Sequence, residues 1–255
     1  MNLDATFDFA GKAALVTGGA AGIGAAIAEA FAARGAKVAL VDMNPATPDK
    51  ARALPQSKQV GGHFAHVADI TRPGEAGRAV AETVGALGRL DILVNSAGIV
   101  RLAEAEAATD EDWDATMAVN LRAPFLMARA AFPALCAAGA GRIVNLASQA
   151  AFVALDRHLA YCTSKAGLLG MTKVLALEWA PHGITVNAIS PTVVETELGR
   201  KAWAGEVGEA MKRKIPAGRF AQPEEIALAA LFLASGGAGM ITGANLVIDG
   251  GYTIQ

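Results

Sequence analysis

Tyr161 and Lys165 stand four residues apart, the spacing that puts two side chains on one helix face with their tips free to meet one ligand. A free phenol titrates near ~10, and an ammonium a few ångströms away favours the phenolate and draws that value toward working pH. The pair reads as a general base for an alcohol. Tyrosine and lysine meet at this spacing by chance in many chains, so the surroundings decide its weight. Ser148, thirteen residues earlier, falls at the carboxyl end of a β-branched run, and Asn120 sits in a long helical stretch where an amide has no capping role. With only two tyrosines in the chain, Tyr161 and Tyr252, a tyrosine-dependent chemistry has few other places to reside.

A second constellation lies near the start of the chain. Residues 17–24 read TGGAAGIG, with Gly18, Gly22 and Gly24 leading from an apolar run into a helical one. Such glycines let the backbone turn tightly and let a pyrophosphate approach the helix N-terminus, where unpaired N–H groups and the dipole favour an anion. Asp42 ends the next strand-like run eighteen residues past Gly24, close to the spacing of a carboxylate that grips an adenosine ribose. A carboxylate accepts from ribose hydroxyls but repels a 2′-phosphate, and Met43, Asn44, Ala20 and Ala21 offer no offsetting cation. NAD is therefore expected over NADP. Asp69 could accept from the adenine amino group, and the small residues of Asn95-Ser96-Ala97-Gly98 suit a backbone passing close to a ligand; ordinary turn chemistry explains either equally.

The elements that must position these residues follow from periodicity. Strands are expected at 13–17, 37–42, 63–67, 91–95, 142–146, 184–188 and 246–248, and helices at 22–34, 73–87, 110–137, 157–179 and 223–234. Alternating strands and helices of these lengths make an α/β fold, a doubly wound parallel sheet of about seven strands flanked by helices. No linker or repeat divides the chain, so one domain over 1–255 is expected. The interval 191–219, rich in Pro and Gly with short helical pieces, follows a strand's carboxyl end and reads as a substrate lid or as an insertion packed on the body.

Composition excludes other classes. Of 255 residues 53% are apolar and 18% charged, and the net charge is -2 with no block of like sign, which argues against a nucleic-acid or anionic-membrane partner. Residues 226–248 carry no charge, but the Gly-rich stretch 235–239 breaks them into pieces too short to span a bilayer. Cys136 and Cys162 have no zinc-ligand spacing, and His63 and His66 point to opposite faces of a strand, so no metal is expected. The first dozen residues, with Asp4 and Asp8, lack a secretory pattern, and a cytoplasmic location is expected.

Taken together these motifs resemble the short-chain dehydrogenase/reductase family over essentially the whole chain. Its T-G-x-x-x-G-x-G pattern matches 17–24, and its Asn, Ser, Tyr and Lys tetrad matches Asn120, Ser148, Tyr161 and Lys165 in order and spacing; Asp249-Gly250-Gly251 matches its closing turn. The resemblance implies a single-domain Rossmann fold and an NAD-dependent oxidoreductase. In it Tyr161 takes the proton of a substrate hydroxyl while hydride leaves the carbon. Lys165 lowers the tyrosine pKa and holds the nicotinamide ribose, Ser148 hydrogen-bonds the substrate oxygen, and Asn120 holds a water linking Lys165 to bulk. Implied cofactor contacts are Gly18, Gly22, Ile23, Gly24, Asp42, Asp69, Ile70, Asn95, Ala97, Gly98, Tyr161, Lys165, Pro191, Val194 and Thr196. Two positions depart from the family pattern: Ser96 stands where it has a second Asn, and Thr192 where Gly usually follows Pro191.

The stretches 148–166, 189–199 and 201–212 look like the NAD-dependent polyol and diol dehydrogenases of bacteria, the glycerol, D-threitol and sugar-alcohol branch. Gln149, His158 and Glu195 could then bind a second hydroxyl, beside Ser148 and Tyr161. A ketone reductase like the 3-oxoacyl carrier-protein reductases would prefer NADPH and clash with Asp42. A protein that senses NAD without turnover would have no need of both Tyr161 and Lys165. The helix after Tyr161 is apolar around most of its circumference, which one core face cannot use, and the family resemblance implies a homotetramer.

Overall fold

The computed structural model describes residues 7–55 and 62–254; the opening residues on which the leader reading partly rests, 1–6, lie outside them. Seven strands form one sheet: β1 (Ala13–Thr17), β2 (Lys37–Asp42), β3 (Phe64–Val67), β4 (Ile92–Asn95), β5 (Arg142–Leu146), β6 (Thr185–Pro191) and β7 (Asn245–Ile248). All neighbours pair parallel, in the order β3-β2-β1-β4-β5-β6-β7. Helices cover both faces, as a parallel sheet requires. They are α1 (Gly22–Ala33), α2 (Thr47–Ala53), α3 (Glu75–Leu87), α4 (Asp110–Met117), α5 (Ala123–Ala137), α6 (Leu159–Trp179), α7 (Glu197–Ala202), α8 (Glu206–Arg213) and α9 (Pro223–Ala234).

Alternation along each strand sends its residues to two cores. Val16, Leu40, Val94 and Val144 meet Ile27, Phe31, Ile226 and Leu231 of α1 and α9. Leu15, Val41, Leu93 and Ile143 meet the α3 and α5 side, with Val80, Met127 and Leu135. Every residue of β1 and β4 is buried, the continuous apolar run expected of a central strand covered on both faces.

Most elements fall where periodicity puts them, and the departures have local causes. Strand β4 begins at Ile92 because Asp91 turns its carboxylate to Lys12, Arg89 and the Ala13 N–H. Helix α6 starts at Leu159 because Arg157, at φ 62°, sits in the left-handed region and cannot be helical. Helix α2 is absent from the sequence reading: it is seven residues long, and its Pro48 looks like loop punctuation although the first helical turn tolerates it. The expected helix over 110–137 is interrupted by a π-helical turn at Ala118–Arg122. The uncharged run 226–248 divides into α9, a 3₁₀ turn at Gly236–Ala238 and β7, and among the described residues no helix is long and apolar enough to cross a membrane.

The interval 191–219 holds α7 and α8, seated by a small cluster of Met211, Ile215 and Phe220 with Val193, Trp203 and Tyr252 against it. It is stitched to the body by the Val194–Ala221 bridge and by the Ala217 N–H donating to the Gly250 carbonyl at 3.0 Å.

Candidate active site

Strand order reverses between β1 and β4, the place where an open α/β sheet leaves a crevice at its carboxyl edge. The loops leaving these two strands are pressed together. Thr17 Oγ1 accepts from the Ser96 and Ala97 N–H groups at 3.1 and 3.2 Å, and a β-carbon on Gly18 would lie 2.8 Å from the Ala97 Cα. A β-carbon on Gly24 would lie 2.1 Å from the Gly18 carbonyl oxygen, and one on Gly22 3.3 Å from the Thr196 side chain. The cradle is therefore open backbone, roofed at Gly22 by Thr196. Helix α1 starts there with no capping side chain and no acid in its first turn, so its N-terminal N–H groups keep room for an anion. Ile23 packs into the α1–α9 core and fixes the loop's exit. Replacing Gly24 by Ala forces backbone apart, and we expect a loss of about 2 kcal/mol or more in urea unfolding, against almost none for Gly77→Ala, where the added carbon meets nothing within 4 Å.

Asp42 stands at the edge of this cradle. Its Oδ2 accepts from the Ala20 N–H at 3.1 Å and its Oδ1 from the Asn44 N–H at 3.0 Å, which aims the carboxylate along the glycine loop with lone pairs to spare. Asp69 is engaged closer to home, since its Oδ1 takes both the N–H and the hydroxyl of Thr71, and these bonds hold the carboxyl below its usual range. Turn chemistry thus accounts for one of its oxygens. Ile70 is buried in the α3-side core. Asn95 donates to Asn145 Oδ1 at 2.8 Å, while its own Oδ1 is sealed and without a protein partner.

Ser148, Tyr161 and Lys165 gather across the crevice. Ser148 follows β5 and its Oγ accepts from the Ala150 N–H at 3.2 Å, fixing the hydroxyl at a tight 3₁₀ turn. It is also the hydrogen-bond partner of the Tyr161 hydroxyl. Lys165, one turn along α6, is 4% exposed; its Nζ donates to the Leu146 carbonyl at 2.7 Å and lies 5.7 Å from the Tyr161 ring centre. Burial lowers this ammonium to about 8. The expected lowering of the phenol by its lysine does not prevail here: burial pushes Tyr161 up, and the bond to Ser148 only partly opposes it.

Asn120 is fixed by its side-chain amide. The π turn carries its amide to Ile99, where Oδ1 accepts from the N–H and Nδ2 donates to the carbonyl, both at 2.9 Å, with a further bond to Ser164 Oγ at 3.1 Å. These bonds clamp the β4 loop to α6; no bond joins Asn120 to Lys165. A β-carbon on Gly98 would sit 3.4 Å from Asn120 Oδ1 and 3.6 Å from Lys165 Nζ, so the glycine keeps a passage between them.

Gln149 is 3% exposed and its Oε1 is without a partner. His158 faces Tyr161 edge-on with ring centres 6.0 Å apart. Glu195 lies two residues before α7, its N–H donating to the Ala221 carbonyl at 2.9 Å. Pro191 is buried at the end of β6, Val194 is held by its bridge to Ala221, and Thr196 caps α7 through Gly199. Thr192 Oγ1 is buried and unpartnered. A cavity of about 530 Å³ opens between Val153, Arg213, Lys214, Tyr252 and Thr253, on the α8 side. Sequence reasoning missed Thr17, Ser164, Asn145 and Thr172, whose roles are hydrogen bonds across elements. Asn145 Nδ2 donates to Thr172 on α6 at 2.9 Å and so ties Asn95 to the helix of Tyr161. No local pattern marks such pairs. Cys136 and Cys162 are free thiols, and among the described residues no cluster of His, Cys, Asp and Glu could hold a metal ion.

Comparison with known proteins agrees with this geometry. A family model described as enoyl-(acyl carrier protein) reductase matches residues 18–253. The chain is 54% identical to a D-threitol dehydrogenase of Mycolicibacterium smegmatis over 100% of its length and 98% of that protein's. It is 52% identical to an NAD-dependent glycerol dehydrogenase of Listeria innocua, over 99% of this chain and 98% of the relative. Among solved structures, a putative NAD(P)-dependent gluconate 5-dehydrogenase from Beutenbergia cavernae with bound NADP superposes with a TM-score of 0.91 at 37% identity, covering 98% of this chain and 100% of that one. With the family's glycine loop, its tetrad residues converging on one crevice and its sheet order all present, the chain belongs to the short-chain dehydrogenase/reductase family of oxidoreductases.

Proposed function

We propose that the protein interconverts a secondary alcohol and its ketone on a polyol, diol or sugar alcohol, with NAD as the hydride carrier. The observation that carries this reading is the Tyr161 hydroxyl beside Ser148, backed by a buried Lys165 whose Nζ lies next to Gly98 of the β4 loop. The names of the threitol and glycerol relatives support the substrate class.

In the oxidation, Ser148 donates to the substrate oxygen and Tyr161, as phenolate, accepts the hydroxyl proton. Lys165 supplies positive charge behind the phenolate and a donor for a ribose hydroxyl. NAD, when bound, supplies the hydride acceptor. The residues present fit it: Gly18, Gly22 and Gly24 leave backbone open for its pyrophosphate, and Ile23 with α1 sets the angle. Asp42 takes the adenosine ribose, while Asp69 and Ile70 border the adenine. Asn95, Ala97 and Gly98 would line the far ribose, and Pro191, Val194 and Thr196 the nicotinamide side. Gln149 Oε1 and His158 are the groups we assign to a further hydroxyl of the substrate. The helices of 191–219 act as the lid.

The test is NADH formation on a panel of polyols, diols, steroids and acyl thioesters. Polyols or diols should lead; activity confined to acyl thioesters would make the protein a carrier-protein reductase, and tight NAD binding without turnover on any of them a sensor. Preference for NAD over NADP rests on Asp42. Asp42→Ser should cut kcat/KM with NAD about tenfold or more while raising it with NADP, because a 2′-phosphate no longer meets a carboxylate. Equal losses with both would detach Asp42 from the ribose.

The exposed apolar residues Val174 and Leu177 of α6 and Phe125 of α5 support a homotetramer built on these helices; a monomeric mass by light scattering would oppose it. Two free thiols and a near-neutral charge support a cytoplasmic location.

A further inference from the structure

Away from the crevice, at the amino ends of the strands, the buried Asp91 just before β4 takes Lys12 and Arg89. Arg142, the first residue of β5, is only 8% exposed and has no such partner. Its Nη1 donates to the adjacent Gly141 carbonyl at 2.9 Å, its Nε is sealed with nothing to bond, and among the described residues no carboxylate lies within 4.0 Å of the guanidinium. By strand alternation it shares the α9 face with Val144 and Leu146, whereas Asp91, one strand over, belongs to the opposite face and is already saturated.

Two more orphans stand on the elements next to it. Thr185 is the direct partner of Arg142 across β5 and β6, on the same face as Ile189, and its Oγ1 is sealed and unpartnered. Ser235 ends α9, the helix packed over both strands, and its Oγ is likewise buried without a partner. The chain then turns back beneath: a β-carbon on Gly239 would lie 3.9 Å from Arg142 Nη2. Buried polar groups in native proteins are nearly always paired, so three orphans on adjoining elements call for one shared partner. An N–H and two hydroxyls can all donate, and the only formal charge among them is positive. The carbonyl end of α9 offers partial negative charge but bonds none of the three atoms.

We infer that Arg142, Thr185 and Ser235 form a binding site for a small monovalent anion, with chloride as its occupant. Chloride accepts without donating, matches a site bounded by one guanidinium edge and two hydroxyls, and restores neutrality where a water would satisfy donors alone. Such an ion would pin α9 to the amino ends of β5 and β6. The site lies at the end of the sheet opposite the crevice and does not depend on the reading of the reaction.

The experiment is thermal unfolding of the full chain in sodium chloride against sodium methanesulfonate at equal ionic strength. A site of this kind should raise Tm by about 3 °C or more between roughly 1 and 200 mM chloride. Ser235→Ala should shrink that rise, and Arg142→Met, which removes the charge but keeps the bulk, should abolish it. Crystals grown in bromide should give an anomalous peak between the three side chains. A wild-type Tm that is the same in both salts, or bromide crystals with no anomalous peak there, overturns the proposal. Ser235→Ala and the bromide crystals keep it open to refutation if Arg142→Met does not fold.

Discussion

Tyr161→Phe should lower turnover by about three orders of magnitude while leaving NADH affinity and stability close to those of the parent protein. The substitution removes one oxygen and little else. The ring keeps its neighbours, with Lys165 Nζ 5.7 Å from its centre and the His158 ring 6.0 Å away, and only the bond to Ser148 is lost. A residual rate within tenfold of the parent would remove Tyr161 from the role of base. The same residue has a pH signature. Burial raises its phenol above the ordinary 10.0, so in the cofactor-free protein Tyr161 should stay protonated through neutral pH and ionise only in the alkaline range. Since the phenolate is the form that accepts the proton, oxidation should rise with pH and reduction fall. Tyrosine-specific carbon NMR can follow this directly, since Tyr252 is the only other tyrosine and the Phe variant assigns the signal. Ionisation near neutrality without cofactor would mean that the lysine outweighs burial after all.

That outcome bears on what could be read before the fold was known. The Tyr161–Lys165 pair and the glycine loop are legible in sequence because each is a local pattern: a helical spacing of four, or glycines between a strand and a helix. Asp42 is legible because the length of one βαβ unit fixes where the second strand ends. Clamps between elements are not. Thr17 holding Ser96 and Ala97, and Asn145 bridging Asn95 to Thr172, join residues remote in sequence, and nothing short of the sheet order reveals them. The clamp that Asn120 makes on Ile99 is hidden for a related reason. The residue's position was plain, but the π turn that swings it to Ile99 gains a residue relative to a regular helix without a Gly or Pro to announce it. Burial was the other hidden quantity. Spacing says that lysine and tyrosine meet; only the packing says that the ammonium and the phenol are both held away from water, and hence which influence prevails.

Lys165→Met should lose at least two orders of magnitude in turnover and yet be more stable than the parent at neutral pH. The ammonium is buried and its pKa falls from 10.5 to about 8, a difference of roughly 2.5 units or about 3 kcal/mol spent holding the charged form inside. Between pH 8 and 10.5 the unfolded chain keeps the proton that the folded one releases, so the stability of the parent rises with pH across that window. Below about 8 both states are charged and the whole cost is present. Methionine is close in volume and carries no charge, but it leaves the Leu146 carbonyl without its donor, which returns about 1–2 kcal/mol. The net gain should therefore be about 1–2 kcal/mol in urea unfolding at pH 7, and it should vanish or reverse by about pH 10.5, where the folded parent has shed the charge and the unfolded chain is losing it. Equal destabilisation of the variant at both pH values would show that the folded and unfolded chains bind the Lys165 proton alike, so that the ammonium is held charged inside the protein at no cost.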